Sequence, residues 1–146
     1  RRAVVKLRKA LGGFSDHTVG VLGLSFKPNT DDIREAPALE IIHLLINEGA
    51  TVKAYDPQAM PNVAEILPAL KLCSDPYQVA EGADALILTT EWNEFKQIDF
   101  ERIYSLMNHP IILDGRNLWD PAVLREIGFT YYGIGRAAGS APENGA

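Results

Sequence analysis

From His17 onward the chain switches repeatedly between apolar runs and amphipathic stripes, and glycine or proline marks most of the switches. Val19–Phe26 is an apolar run with the look of a strand. In Pro37–Glu48 the apolar positions Leu39, Ile42, Leu45 and Ile46 recur at helical spacing, opposite Glu40, His43 and Asn47. Pro37 stands at the first turn of that helix and Gly49 just past its end, the usual asymmetry of helix punctuation. Thr51–Tyr55 predicts a second strand closed by Asp56-Pro57, residues 59–67 a short helix broken by Pro61 and Pro68, and Leu70–Cys73 a weak strand. A short helix over Pro76–Glu81 leads to Ala83–Thr90, whose near-continuous apolar character marks a strand covered on both faces. Phe100–Met107 reads as a helix, Pro110–Asp114 as another buried strand, Pro121–Ile127 as a short helix closed by Gly128, and Thr130–Gly133 as an edge strand. Upstream, residues 3–11 keep helical spacing until Gly12-Gly13 stops them, as the last turns of a helix whose body lies further upstream would.

Strands alternating with helices pair in parallel through right-handed crossovers. The expected fold class is therefore α/β: a doubly wound, mainly parallel Rossmann-like sheet of about six strands with helices on both faces. The 146 residues suffice for one domain with a real core, expected over residues 14–136. Residues 1–13 are expected to be the end of a linking helix, and residues 137–146, rich in small and polar side chains, a flexible tail. The start, Arg1-Arg2-Ala3, has neither an initiator methionine nor the apolar core of a signal peptide, so a piece of a longer chain is expected.

Composition narrows the function classes. A hydrophobic share of 47% and a net charge of −5 suit a globular protein without the basic face that nucleic acid or an anionic membrane needs. Any phosphate recognition must then be local. No apolar run is long enough to span a bilayer. The single cysteine, Cys73, excludes an internal disulfide and suits a reducing, cytoplasmic setting.

The most informative stretch is Gly23-Leu24-Ser25-Phe26-Lys27-Pro28-Asn29-Thr30-Asp31-Asp32-Ile33-Arg34-Glu35-Ala36-Pro37. A strand runs into a polar loop bearing one lysine, one arginine and two aspartates, and the loop ends where a helix opens. In open α/β sheets ligands dock there, beyond the carboxyl ends of strands. Lys27 offers a compact charge suited to a phosphate, against the plain alternative of a solvated loop lysine. The two aspartates can pair with Arg34 and order the loop, or Thr30 and Asp31 can make turn hydrogen bonds. Asp114-Gly115-Arg116-Asn117 follows the strand Ile111-Ile112-Leu113 and opens on the same sheet edge. Arg116 can fork onto a phosphate or carbonyl, or merely pair with Asp114 at the surface. Two cationic loops on one edge favour ligand binding.

Other positions carry less. Gly20 and Gly23 sit where a dinucleotide fingerprint begins, but Phe26 occupies the place of its last small residue, so strand packing and turning are the better reading of both glycines. Asp56 stands where a ribose-binding carboxylate would, yet reads more readily as a strand-end cap. Thr90, Glu91 and Trp92 either line a cleft or, for Trp92, pack on a neighbouring element. Cys73 lacks an activating neighbour and reads as a small core or edge residue. His17, His43 and His109 lack metal spacing and read as surface or turn residues, so no metal is expected.

The loop closely resembles the Phe-Lys-x-x-Thr-Asp-Asp-x-Arg-x-Ser-Pro motif of the UDP-glucose/GDP-mannose dehydrogenases. Ala-Tyr-Asp-Pro at 54–57, Ala-Asp-Ala-Leu-Ile-Leu-Thr-Thr-Glu-Trp at 83–92 and Asp-Gly-Arg-Asn at 114–117 follow in matching order. The resemblance runs over roughly residues 3–136, to the C-terminal third of those enzymes and most to the UDP-glucose 6-dehydrogenases. Ala36 stands where the motif has serine, so no serine cap is expected on the next helix. Such enzymes have an N-terminal NAD-binding domain, a central helical dimerisation region and a C-terminal nucleotide-sugar-binding domain. They oxidise a sugar C6 alcohol to a carboxylate with two NAD+ and a catalytic cysteine.

The resemblance implies that Phe26 and Lys27 contact a UDP-sugar, with Lys27 near the diphosphate. It implies that Arg116 contacts the UDP portion, and that Arg34 reaches toward NAD bound mainly by the absent domain. No catalytic residue is expected in this chain, since the cysteine belongs upstream. The implied partners are the UDP-sugar, the missing domains and, in the full-length form, a second copy. A free-standing Rossmann-like binding or regulatory module is the alternative, and the helix remnant at residues 3–11 weighs against it.

Overall fold

The computed structural model of the chain describes residues 2–133. The tail expected from Ala137, and the last residues of the expected domain, lie outside them. Six strands, β1 (Thr18–Leu22), β2 (Thr51–Tyr55), β3 (Lys71–Leu72), β4 (Ala85–Leu88), β5 (Ile111–Asp114) and β6 (Thr130–Gly133), form one sheet in the order β3-β2-β1-β4-β5-β6. Every pairing is parallel. The expected doubly wound sheet is present, with Thr130–Gly133 at one edge and the weak strand at the other.

Alternation along the strands divides the core in two. Val19, Val21, Val52, Ala54, Ala85, Ile87 and Leu113 point to one face. Leu22, Leu86, Leu88, Ile112 and Tyr131 point to the other. Helices α1 (Arg2–Leu11), α2 (Pro37–Asn47) and α3 (Met60–Ile66) cover the first face through Val4, Leu7, Ile42, Leu45 and Val63. Helices α4 (Pro76–Ala80), α5 (Phe100–Leu106) and α6 (Pro121–Ile127) cover the second through Val79, Ile103 and Leu124. The last turns of α1 thus belong to this core. Arg8 adds a bidentate pair to Glu48 beyond the end of α2, at 2.9 and 2.7 Å.

Three sequence expectations shift. The first strand ends at Leu22 rather than Phe26, because Gly23 turns the chain at φ +96°. Pro61 does not break α3 but sits in its first turn, where its missing N–H is not needed. A 3-10 turn at Asn93–Gln97, unforeseen in the sequence, seats Phe95 in the second core. The glycines fit the packing reading. A Cβ on Gly20 would lie 2.5 Å from a Val79 methyl, and one on Gly23 would lie 2.7 Å from the backbone nitrogen of Thr90.

Aspartates cap α4, α5 and α6: Asp75 accepts from the Gln78 N–H, Asp99 from Arg102 and Asp120 from Ala122. Helix α2 differs. Its N-cap, Ala36, has extended backbone (φ −72°, ψ 127°) and no side-chain acceptor, as expected from the missing serine. Replacing Ala36 by Ser should raise stability by about 1 kcal/mol in urea unfolding. Gly23→Ala should lower it by about 2–3 kcal/mol, through both the positive φ and the collision with Thr90.

Candidate ligand-binding edge

Parallel pairing puts the carboxyl ends of β1, β2, β4 and β5 on one edge of the sheet. The ladder leaves backbone N–H groups unsatisfied there, and two buried aspartates collect them. Asp56, fully buried after β2, accepts through Oδ2 from the N–H groups of Leu24 (2.7 Å) and Ser25 (3.2 Å) and from the Trp92 indole (3.2 Å). Its Oδ1 accepts from Gln58 and Ala59 N–H at 2.8 and 2.7 Å. The strand-end cap reading of Asp56 therefore holds, and both oxygens are occupied. With Gly23 pressed against Thr90 as well, the first crossover does not fit a dinucleotide in the fingerprint manner.

Asp114, fully buried after β5, accepts from Arg116, Leu118 and Trp119 N–H at 3.1, 3.1 and 2.9 Å, and from the Tyr131 hydroxyl at 2.8 Å. The surface Asp114–Arg116 ion pair considered from sequence does not form: Asp114 is buried and takes the Arg116 backbone. The Arg116 guanidinium instead forks onto Glu91, with Nε 2.8 Å and Nη2 3.2 Å from its carboxylate oxygens. Partial burial pushes the Glu91 carboxyl up, but Arg116 and a backbone N–H more than offset this and hold it below its ordinary range. Sequence reasoning missed this pair, since only the adjacency of β4 and β5 brings residues 91 and 116 together.

Thr90 and Trp92 are buried rather than lining a cleft. The Thr90 hydroxyl donates to the Ser25 carbonyl at 2.8 Å, and Thr89 donates to the Gly23 carbonyl. Trp92 packs in the second core, and of the three residues only Glu91 remains partly exposed. Tyr55, at the end of β2, hydrogen-bonds the Glu94 carboxylate at 2.9 Å. Desolvation first, and Glu94 second, push its hydroxyl up to about 12.

Beyond Ser25 the loop emerges into solvent. Phe26 is 49% exposed, and its N–H donates to the Asp32 carbonyl at 2.8 Å, closing the loop on itself. Lys27 is exposed and forms no ion pair among the described residues. Arg34 is paired: Nε and Nη2 lie 3.0 and 2.9 Å from the Asp32 carboxylate, while the guanidinium side chain stays 87% exposed. Asp31 contributes its carbonyl, which accepts from the Asn62 side chain at 2.9 Å, and the Thr30 hydroxyl accepts from the Asp32 N–H. Each loop reading is realised in part: of the two aspartates Asp32 forms the ion pair with Arg34, Thr30 makes the turn bond, and Asp31 contributes only its carbonyl. Asn29 and Glu35 hold positive φ values of 65° and 56°. The second is uncommon for glutamate and marks local strain just before α2.

Asp32 and Arg34 line two neighbouring depressions. One, of about 480 Å³, also has Thr30, Asp31, Ile33 and Asn62 in its wall. The other, of about 270 Å³, is bounded by Phe26 and Glu35. Neither includes Lys27 or Arg116, whose strands are separated by β4, roughly two interstrand spacings or about 10 Å.

The remaining polar candidates lie apart from this edge or are inert. Cys73 follows edge strand β3, half-buried, and burial pushes its thiol up. His109 pairs with Asp84 at 2.8 Å, and His43 is exposed. His17 departs from a surface residue: it is half-buried, and its Nδ1 is buried without a hydrogen bond. Among the described residues no cluster of His, Cys, Asp and Glu could hold a metal ion, and no helix is long and apolar enough to cross a membrane.

The Arg34 side-chain fork, then its backbone N–H, hold the Asp32 carboxyl down to about 2 from an ordinary 3.8, and the charge of Lys27 adds to this. With the folded value depressed, the pair's contribution is complete above pH 3.8 and is lost as pH falls through about 2. A carboxyl-carbon NMR titration of Asp32 should show a midpoint near 2, and a midpoint near 3.8 would mean that the pair is not held in solution.

Comparison with known proteins agrees with this architecture. The family model for the UDP-glucose/GDP-mannose dehydrogenase family, UDP binding domain, matches residues 20–121. The UDP-glucose 6-dehydrogenase of Pseudomonas aeruginosa is 47% identical over 131 residues, covering 86% of this chain and 29% of the relative. UDP-glucose 6-dehydrogenase TuaD of Bacillus subtilis is 43% identical, with 92% of this chain and 30% of that protein covered. A solved UDP-glucose dehydrogenase from the archaeon Pyrobaculum islandicum superposes with a TM-score of 0.76 at 34% identity, over 90% of this chain and 28% of that one. The chain thus spans about 30% of the length of these relatives. With the motif order of its loops, the parallel sheet that gathers them and the match over residues 20–121, the chain belongs to the UDP-glucose/GDP-mannose dehydrogenase family and carries its UDP-binding domain.

Proposed function

We propose that this chain holds the nucleotide part of a UDP-sugar for an NAD-dependent UDP-glucose 6-dehydrogenase, with its ligand lying across the carboxyl edge of the sheet. The observation that carries this reading is the placement of Lys27, exposed and without an ion pair among the described residues, on the edge that also presents the Arg116 fork. Lys27 meets the diphosphate as a point charge, Phe26 gives an apolar contact beside it, and Arg116 binds the UDP portion. Arg34, exposed and steered by Asp32, faces NAD held mainly by another domain.

On this reading the catalytic cysteine lies in a segment upstream, and the chain binds substrate without oxidising it alone. The helix that stops at Gly12-Gly13 is a linking helix, and the described residues from 14 onward form the binding domain. The full-length enzyme works in the cytoplasm as a homodimer. UDP-glucose as the sugar is supported by the names of the relatives at 47% and 43% identity.

In the complete enzyme, Lys27→Ala should weaken UDP-sugar binding by roughly tenfold or more, the worth of a charge-assisted hydrogen bond. Arg34→Ala should leave that affinity nearly unchanged and mainly raise KM for NAD. Calorimetry with UDP-glucose checks the first: equal binding by wild type and Lys27→Ala would falsify the assignment.

A further inference from the structure

We propose that Asp56 and Ser25 are positioning residues for the nucleotide site, setting the backbone from which Phe26 and Lys27 project. The proposal rests on the reading of Lys27 as the diphosphate contact. Asp56 lies at the end of β2, yet three of its five N–H donors come from other strand ends: Leu24 and Ser25 after β1, and the Trp92 indole after β4. Ser25, 1% exposed, passes the constraint outward. Its hydroxyl lies 3.3 Å from Asp56 Oδ2 and 3.0 Å from the Lys27 carbonyl oxygen, to which it donates. Thr90 holds the Ser25 carbonyl from the β4 side. The last residues before the exposed Phe26-Lys27 tip are thus fixed by polar bonds from two neighbouring strands, with Leu24 and Ser25 both buried.

Only a carboxylate suits the centre of this arrangement. Oδ1 faces two N–H donors and Oδ2 faces three. Asparagine has a single oxygen, so either orientation turns an NH2 group toward at least two N–H donors. The steric change is nil and the hydrogen-bond mismatch is large, which makes Asp56→Asn a specific probe of loop placement.

The test is a double-mutant cycle in the full-length chain, with UDP as the ligand and calorimetry as the readout, after circular dichroism has shown that each variant is folded. Asp56→Asn should weaken UDP binding by roughly tenfold to a hundredfold, as a displaced contact group does. Ser25→Ala should weaken it a few-fold, about the worth of one hydrogen bond. In the Lys27→Ala background the effect should shrink to less than about twofold for Ser25→Ala and to a few-fold for Asp56→Asn, because only the apolar Phe26 contact remains for the relay to place. A loss that adds in full to that of Lys27→Ala, or unchanged affinity in a folded Asp56→Asn protein, overturns the positioning role. If Asp56→Asn does not fold, the Ser25→Ala and Lys27→Ala cycle decides by the same criterion. If wild type does not bind UDP, or Lys27→Ala binds it equally well, the reading of the site itself fails and the proposal falls with it. Lys27-dependent binding without coupling removes the positioning role alone.

Discussion

In a sheet whose strands all run the same way, every strand ends on the same edge, and each end presents backbone N–H groups that no ladder partner completes. Buried and unpaired, each would cost on the order of 1–3 kcal/mol. Here two fully buried carboxylates resolve that constraint. Asp56 gathers donors from the ends of β1 and β4 as well as its own chain, and Asp114 gathers those of the Arg116 turn and the Tyr131 hydroxyl of β6. The loop that carries Lys27 and Arg34 is held at its root by Asp56, and the turn that carries Arg116 begins at Asp114. The anchors therefore hold the backbone at the root of both charged segments.

The same constraint explains why this crossover is not a dinucleotide site despite its topology. A ribose-binding carboxylate must keep an oxygen free for the ligand. Asp56 has none, since both oxygens are occupied within the protein. Gly23 closes against Thr90 rather than opening a turn for pyrophosphate. The strand order of a nucleotide-binding fold is retained, and the exposed lysine of this crossover, Lys27, stands further out along a longer loop.

Much of this was legible in the sequence, because it is written in local signals. The alternation of strand and helix, the proline-opened helices and the two-sided burial of β4 follow from periodicity and turn chemistry. The charged loop was recognisable from its place after an apolar strand. The Glu91–Arg116 fork, the Trp92–Asp56 bond and the Tyr131–Asp114 bond were not, because each joins residues brought together only by the order β2-β1-β4-β5-β6. One signal was available all the same. Asp56-Pro57 and Asp114-Gly115 both place an aspartate at the end of an apolar strand directly before a turn residue, where backbone donors need an acceptor. Read together, the two extend the strand-end cap reading of Asp56 to Asp114, in place of a surface pair with Arg116.

The charges on this edge are also divided in a way that single residues do not reveal. Arg34 and Arg116 each face a carboxylate in fork geometry, Asp32 and Glu91 respectively, so their net fields at the edge are small. Lys27 has no such counter-ion and adds its field to that felt by Asp32. Lys27 is thus an exposed positive charge without an ion pair among the described residues, on a protein of net charge −5. The paired guanidiniums retain N–H groups for directional contacts while their counter-charges limit nonspecific attraction of other anions. On the proposed reading attraction falls to Lys27 and directional contact to the arginines, so Asp56, which holds Leu24 and Ser25, bears on where the Lys27 contact forms.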